Sequence, residues 1–321
     1  MNNEFFSILA STVQGATPLY FAALGGLFAE RSGTVDIALE GKMMSAAFSG
    51  AAITALTGSL LLGVVAAVSV SVVLSLLQGF AAITCRGDQV ISGVAINFMA
   101  SGLTTTVGLA LFQQGGQTPT LEPAQRFLPL SLPLADWLAS LPIIGGFFGI
   151  FLASQSLFFY LTPVFLIAVS VIVWRTDFGL GLRAAGENPQ AADASGRSVV
   201  ATRYLALVLT GICCAASGLS ISMSQMSSFV PEMTAGQGYL ALTALIFGRW
   251  RPVPVLAVCL LFGFLSTLEG RLQGNALPFV GEIPVQIIQA LPFILTLVLL
   301  ASMRTAGAAP SAIGKPFVRH G

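Results

Sequence analysis

Five ionisable residues crowd one short stretch of the chain: Glu30, Arg31, Asp36, Glu40 and Lys42. Carboxylates together with neighbouring backbone groups could hydrogen-bond a hydroxylated solute. Equally, charges at a membrane boundary can be solvated or snorkel to water with no binding role. Two uncharged amides, Gln78 and Asn97, fall inside apolar runs. A buried amide must find a partner, and a bond to a neighbouring helix satisfies that need as well as contact with a solute does.

The remaining inventory mostly excludes chemistry. His320 is the only histidine, so there is neither a pair of imidazoles for a membrane haem nor a histidine base inside the chain. The two lysines, Lys42 and Lys315, lie outside the apolar runs, which leaves no Schiff-base lysine there. Cys85, Cys213, Cys214 and Cys259 form no C-x-x-C, and neither a metal site nor a disulfide framework is expected. No P-loop exists, because five positions before Gly41-Lys42 stands Asp36 and five before Gly314-Lys315 stands Ala309. Any ATP used must therefore be bound by another subunit, and the chain itself is expected to carry no cofactor. Nothing in the sequence points to a nucleic-acid partner.

The elements that position these residues follow from composition. Of 321 residues 55% are hydrophobic and 8% charged, against about 25% charged in an ordinary soluble domain. With 14 basic and 13 acidic side chains the chain cannot clothe a soluble surface, and lipid must supply the missing skin. Its 34 glycines suit helices that associate by close backbone packing. Apolar runs fall at roughly 5–28, 43–58, 60–84, 89–112, 147–174, 204–223, 236–248, 253–268 and 285–303. The run at 236–248 is too short to cross an undistorted bilayer. The fold expected is all-α: one polytopic membrane helical bundle over 1–321, with 8 to 10 crossings centred on nine. Met1 to Phe6 carries Glu4 and no basic residue, unlike the start of a cleavable signal peptide, so the first run is expected to stay as a span.

Short loops rich in Lys and Arg stay in the cytoplasm. Placing the 175–203 loop there puts Arg31, Lys42, Arg86, Arg175, Arg183, Arg197, Arg203, Arg249, Arg251, Arg304, Lys315 and Arg319 inside, and leaves only Arg126 and Arg271 outside. The C-terminal tail, 304–321, is then cytoplasmic. The outer segment, about 113–146, contains Pro119, Pro123, Pro129, Pro133 and Pro142 beside Trp137. It reads either as a loop on the lipid headgroups or as a docking surface for an extracytoplasmic partner.

The cytoplasmic segment Arg175 to Arg203 reads RTDFGLGLRAAGENPQAADASGRSVVATR. Asn188 can cap a helix whose first residue is Pro189, where the missing N–H costs nothing. That helix would run to Ser195 and stop at Gly196. At about two turns it is too short to stand alone. Its alanines give it a smooth face, suited to a groove on another protein or simply to rest against the membrane.

RAAGENPQAADASG resembles the ATPase-contacting loop of ABC importer permeases in the branched-chain amino acid, ribose and nucleoside superfamily. PLYFAALGGLFAERSGTVDIALEGKMM, from Pro18 to Met44, and GQGYLALTALIFGRWRP, from Gly236 to Pro252, are similar to segments of its nucleoside and simple-sugar branch. The resemblance spans about Pro18 to Met303. It implies a transmembrane permease subunit in the bacterial plasma membrane. The implied partners are ABC ATPase subunits that bind the ATP, a second permease subunit such as a paralogue, and an extracytoplasmic solute-binding protein. It also implies a coupling helix carried by Gly186, Glu187, Asn188, Pro189, Ala192 and Gly196. Asp36, Glu40 and Asn97 are then candidates for the translocation path. Relatives in that branch generally read Asn-Ile-Ala-Leu-Glu-Gly where this chain has Asp36-Ile37-Ala38-Leu39-Glu40-Gly41, so Asp36 adds a negative charge. The solute implied is a nucleoside or related sugar compound. The alternatives are a branched-chain amino acid or ribose permease and, from other classes, an ion-coupled secondary transporter or a membrane-embedded enzyme.

Overall fold

The computed structural model describes residues 2–131, 154–272 and 309–318, together with residues 290, 294 and 298. Its helices are α1 (Asn2–Arg31), α2 (Leu39–Thr57), α3 (Leu60–Gly79), α4 (Gln89–Phe112), α5 (Leu157–Arg175), α6 (Asp177–Glu187), α7 (Pro189–Ala194), α8 (Val199–Leu219), α9 (Gln237–Phe247) and α10 (Pro252–Leu272). Helices α3 and α8 run on as wide π-turns, Phe80–Thr84 and Ser220–Gln225. Two-residue strands β1 (Leu130–Ser131) and β2 (Ser154–Gln155) pair antiparallel.

The helix starts are written locally. Asp88 accepts from the N–H groups of Val90 and Ile91 at the head of α4, and Thr176, Asn188 and Ser198 cap α6, α7 and α8 in the same manner. Among the described residues, five segments are long and apolar enough to cross a membrane: Leu60–Thr84, Gln89–Phe112, Leu157–Arg175, Val199–Gln225 and Pro252–Arg271. Their outward faces carry Leu61, Val73, Ile91, Phe98, Ile167 and Val253, all exposed, as lipid-facing surfaces should be. The structure is an all-α, multi-pass membrane bundle.

Eight of the nine expected crossings coincide with helices, and 285–303 lies outside the described residues except for three positions. Four boundaries depart from expectation. Helix α2 begins at Leu39, so Glu40 and Lys42 are helical. The long run at 147–174 is a helix only from Leu157, with 147–153 outside the described residues. The 175–203 segment contains α6 as well as the short helix foreseen after Asn188. That short helix closes one residue early, at Ala194. Helix α9, with 11 residues, spans about 16 Å and is indeed too short to cross. Pro133, Trp137 and Pro142 of the outer segment also lie outside the described residues.

Helices α1, α2 and α8 form the centre. Helix α1 packs on α5, α8, α9 and α10, and α2 on α3, α4, α8 and α9. Most of α2 is buried, on all its faces. Small residues permit this. A Cβ on Gly218 of α8 would lie 2.3 Å from the Met43 carbonyl oxygen of α2, and one on Gly263 of α10 would lie 2.4 Å from that of Thr12 in α1. Backbones come this close because each glycine faces alanine, Ala46 and Ala47 in the first contact and Ala16 in the second.

Candidate functional site

Helix α1 ends where Ser32 and Gly33 can end it. Gly33 has φ +91°, its N–H donates to the Glu30 carbonyl, and the Thr34 N–H donates to that of Ala29. This is the left-handed helix stop that glycine accepts without a Cβ penalty. The turn from 32 to 38 then delivers Asp36, and α2 carries Glu40 and Lys42 into the bundle.

These charges are neither solvated nor snorkelling: Glu30, Asp36, Glu40 and Lys42 are all buried. Lys42 Nζ donates to Asp36 Oδ2 at 2.5 Å and to Gln78 Oε1 at 2.6 Å, with both members of the ion pair fully shielded. Gln78 Nε2 donates to the Val35 carbonyl, and Asp36 Oδ1 accepts the Ala38 N–H. The pair thereby gains the extra hydrogen bonds that a buried ion pair requires. The charge that Asp36 adds to the motif is neutralised inside the protein by Lys42.

Glu40 works as a cap for another helix. Its Oε1 accepts from Thr234 Oγ1 at 2.6 Å and the Gly236 N–H at 2.8 Å, and its Oε2 accepts from the Gly238 N–H at 2.5 Å. Gly236 offers α9 no side-chain cap, so this carboxylate meets the unpaired N–H groups and the positive end of the α9 dipole. Gly238 must be glycine for α2 to approach, since its Cβ would lie 2.4 Å from the Glu40 nitrogen. Asn97 of α4 accepts the Gly41 N–H at 2.8 Å, and its Nδ2 donates to the Ile37 carbonyl and to Tyr239 Oη, both at 2.9 Å. Asp36, Glu40 and Asn97 thus converge around the head of α2. Their polar groups are engaged within the chain, in bonds between helices.

Glu30 and Arg31 act on the opposite flank. Trp250 Nε1 donates to Glu30 Oε2 at 2.5 Å, while Arg31 donates to the Trp250 carbonyl and lies 5.7 Å from the ring centre of Trp174. The α9–α10 turn is stapled to α1 in this way.

The α6–α7 corner sits at the same end of the bundle. Gly186 packs so closely on α1 that a Cβ would be 2.2 Å from the Arg31 carbonyl oxygen. Asn188 accepts the Ala191 N–H at 3.0 Å, and Pro189 occupies the first position of α7. Gly196, φ +84°, donates to the Asp193 carbonyl, and Arg197 to that of Ala192. This is the left-handed stop expected from the sequence. Gly186, Pro189 and Ala192 face inward, Ala192 in a small cluster with Ala185 and Val199. Glu187, Asn188, Gln190, Ala191, Ala194 and Gly196 face outward.

A strap formed by residues 309–318, which sequence reasoning left as plain tail, ties this corner to the α1–α2 turn. Ser311 donates to Glu187 Oε2 from its N–H and its hydroxyl. The Ala312 N–H donates to the Gly186 carbonyl and the Gly314 N–H to the Gly33 carbonyl. Arg203 donates to the carbonyls of Ser32 and Lys315. Nothing local in the tail signals these bonds, because their partners lie far away in the chain.

An apolar bundle with small-residue helix contacts, a polar network sealed around its central helix and a short exposed helix at one end is the build of a membrane permease. A family model described as the permease component of the branched-chain amino acid transport system matches residues 8–300, and the chain belongs to that family. Among curated relatives, the guanosine ABC transporter permease protein NupQ of Bacillus subtilis (strain 168) is 34% identical, covering 97% of this chain and 96% of its own length. The nucleoside ABC transporter permease protein NupC of Lactococcus lactis subsp. cremoris (strain MG1363) is 33% identical, covering 99% and 98%.

Proposed function

We propose that this chain is the membrane-spanning subunit of an ATP-driven importer that moves nucleosides across the bacterial plasma membrane. The observation that carries the reading is end-to-end similarity to NupQ and NupC at 34% and 33% identity. The α7 end faces the cytoplasm, in keeping with the arginines and lysines gathered there. ATPase subunits bind the nucleotide. A second permease, a paralogue of this chain, completes the membrane unit, and a binding protein delivers the solute outside.

The exposed side of the corner, Glu187, Asn188, Gln190, Ala191 and Ala194, meets the ATPase. Gly186, Pro189 and Ala192 root it in the bundle, and Gly196 ends it. Closure of the ATPase pair pushes on α7 and, through the strap, on the 32–38 turn and α2. Asp36, Glu40 and Asn97 hold α2 in register during that motion. No covalent chemistry is done on the solute.

The test is uptake by cells lacking the gene. Loss of high-affinity nucleoside uptake, restored by the gene, is expected. Unchanged nucleoside uptake with lost uptake of leucine or ribose overturns the substrate assignment in favour of the amino acid or sugar alternative.

A further inference from the structure

We propose that Glu232 and Tyr239 line the solute path at half the depth of the membrane and there hold a molecule that brings O–H and N–H donors, the nucleoside of the preceding reading, on which this inference rests. The depth follows from α4. Ser101 stands 12 residues after Gln89 and 11 before Phe112, about 18 Å and about 16 Å from the two ends of a helix long enough to cross the membrane. The Ser101 hydroxyl donates to Glu232 Oε1, which fixes this carboxylate near the mid-plane.

The side of α4 that carries Ser101 does not look onto lipid. Two non-helical segments, 113–118 and 226–236, meet beside it. The Phe229 N–H donates to Thr118 Oγ1 at 2.8 Å, and the Thr118 N–H donates to the Phe229 carbonyl at 3.1 Å. A Cβ on Gly116 would lie 3.4 Å from the Thr105 carbonyl oxygen and 3.2 Å from Pro231 Cγ. Thr105 is 7 residues inside the end of α4, so irregular backbone has entered the bundle by about 10 Å where the chain reaches Glu232. Such backbone is found at membrane depth only where protein buries it or where it lines a water-filled cavity.

Glu232 is nonetheless exposed, and among the described residues no basic side chain pairs with it. An acid at this depth faces a protein partner or a water-filled path, because lipid cannot solvate it. Its backbone is held at φ +59°, a left-handed conformation uncommon outside glycine that persists where the surroundings enforce it and gathers at ligand sites. Tyr239, in the first turn of α9, is 43% exposed. Its Oη accepts from Asn97 Nδ2, and Asn97 and Ser101, four residues apart on α4, are neighbours on one helix face. The carboxylate and the phenol are therefore held beside successive turns of the same helix.

The pair selects a chemical class. A carboxylate only accepts, and Ser101 occupies one lone pair of Oε1, which leaves Oε2 and the rest of Oε1 for donors such as a ribose diol or a nucleobase amine. The Tyr239 hydroxyl accepts from Asn97 and keeps its own proton to donate, while its exposed ring offers a face to a base. A nucleoside phosphate would set negative charge against Glu232 and is disfavoured. The second permease of the preceding reading covers this face and closes the path.

The experiment uses the assembled transporter in proteoliposomes with its binding protein, assayed with tritiated guanosine, adenosine, uridine, ribose and leucine. Glu232→Gln keeps the shape and the acceptor for Ser101 and removes the charge. The path role predicts that the nucleoside carried per ATP hydrolysed falls about fivefold, the difference between a hydrogen bond to a charged and to a neutral acceptor. The melting temperature and the retention of the second permease should not change. A lower melting temperature with an unchanged ratio makes Glu232 a folding residue, and loss of the second permease with an unchanged ratio makes it an interface residue; either overturns the proposal. In parallel, Glu232→Cys is treated in nanodiscs with a charged, membrane-impermeant thiosulfonate reagent. The background is Cys85→Ser, because the other three cysteines are buried. A thiol in water ionises and reacts, whereas one against lipid or in a dry interface does not. Labelling that the transported nucleoside slows is expected. Absence of labelling, or labelling at a rate the nucleoside leaves unchanged, overturns the path. If Glu232→Gln does not accumulate, the labelling result decides. A wild-type transporter that carries leucine or ribose and no nucleoside overturns the preceding reading instead.

Discussion

The Asp36–Lys42 pair lets the energetics of the buried network be worked out before measurement. Lys42→Met leaves the Asp36 carboxylate fully buried with the Ala38 N–H as its donor, and strips Gln78 Oε1 of its lysine donor. Asp36→Ala leaves the Lys42 ammonium fully buried with only the neutral Gln78 oxygen. Removing one partner of a buried pair costs about 3–5 kcal/mol, because the survivor is an uncompensated charge. The double variant has no such charge. Its remaining defects are Gln78 Oε1 without its lysine donor and the buried Ala38 N–H without its acceptor, about 1–3 kcal/mol each, and each single variant carries one of these in addition to its unpaired charge. The order of stability is therefore wild type, then the double variant, then either single variant. The assay is the melting temperature of the detergent-purified transporter, with the amount of protein in the membrane as a second reading. A double variant less stable than both single variants would refute the reasoning, because the two sites would then be contributing independently.

Glu40→Ala should destabilise the protein by about 3–6 kcal/mol, since it orphans the Thr234 hydroxyl and two N–H groups of the α9 head; Glu40→Gln, which keeps an acceptor, should lose less in the same melting assay. Gly218→Val puts a branched side chain where even a Cβ would lie 2.3 Å from a backbone oxygen of α2, and should cost about 3 kcal/mol, read as reduced accumulation in the membrane. The combined Glu187→Arg and Gly196→Val variant breaks both Ser311 bonds and puts a β-branched residue at φ +84°, a strain of about 1–2 kcal/mol. The protein should still insert at normal levels while losing transport and retention of the ATPase on purification; an inserted variant that keeps both would remove α7 from the coupling role.

What the sequence made legible was what it encodes locally. The Asn188–Pro189 start and Gly196 stop of α7 are set by neighbours within a few positions, and the structure closes that helix with the bonds such residues dictate. The shortness of α9 and the apolar crossings could be read for the same reason. Helix α6 escaped notice although Thr176 caps it, because Gly179, Gly181 and Gly186 look like loop once the basic residues have assigned the segment to the cytoplasm.

The candidate site was legible in its members but not in its arrangement. Glu40 and its acceptor role could not be inferred from residues 30–42, since its donors stand at 234, 236 and 238. Asp36 adds a negative charge where relatives of the nucleoside and simple-sugar branch generally carry asparagine. It is a counter-ion, and only the arrival of Gln78 from α3 beside Lys42 makes the burial of both charges affordable. In a membrane bundle each charge judged alone belongs at the boundary, because alone it is too costly to bury. Charges that have been buried together therefore escape a residue-by-residue reading and emerge only when distant helices are brought into contact.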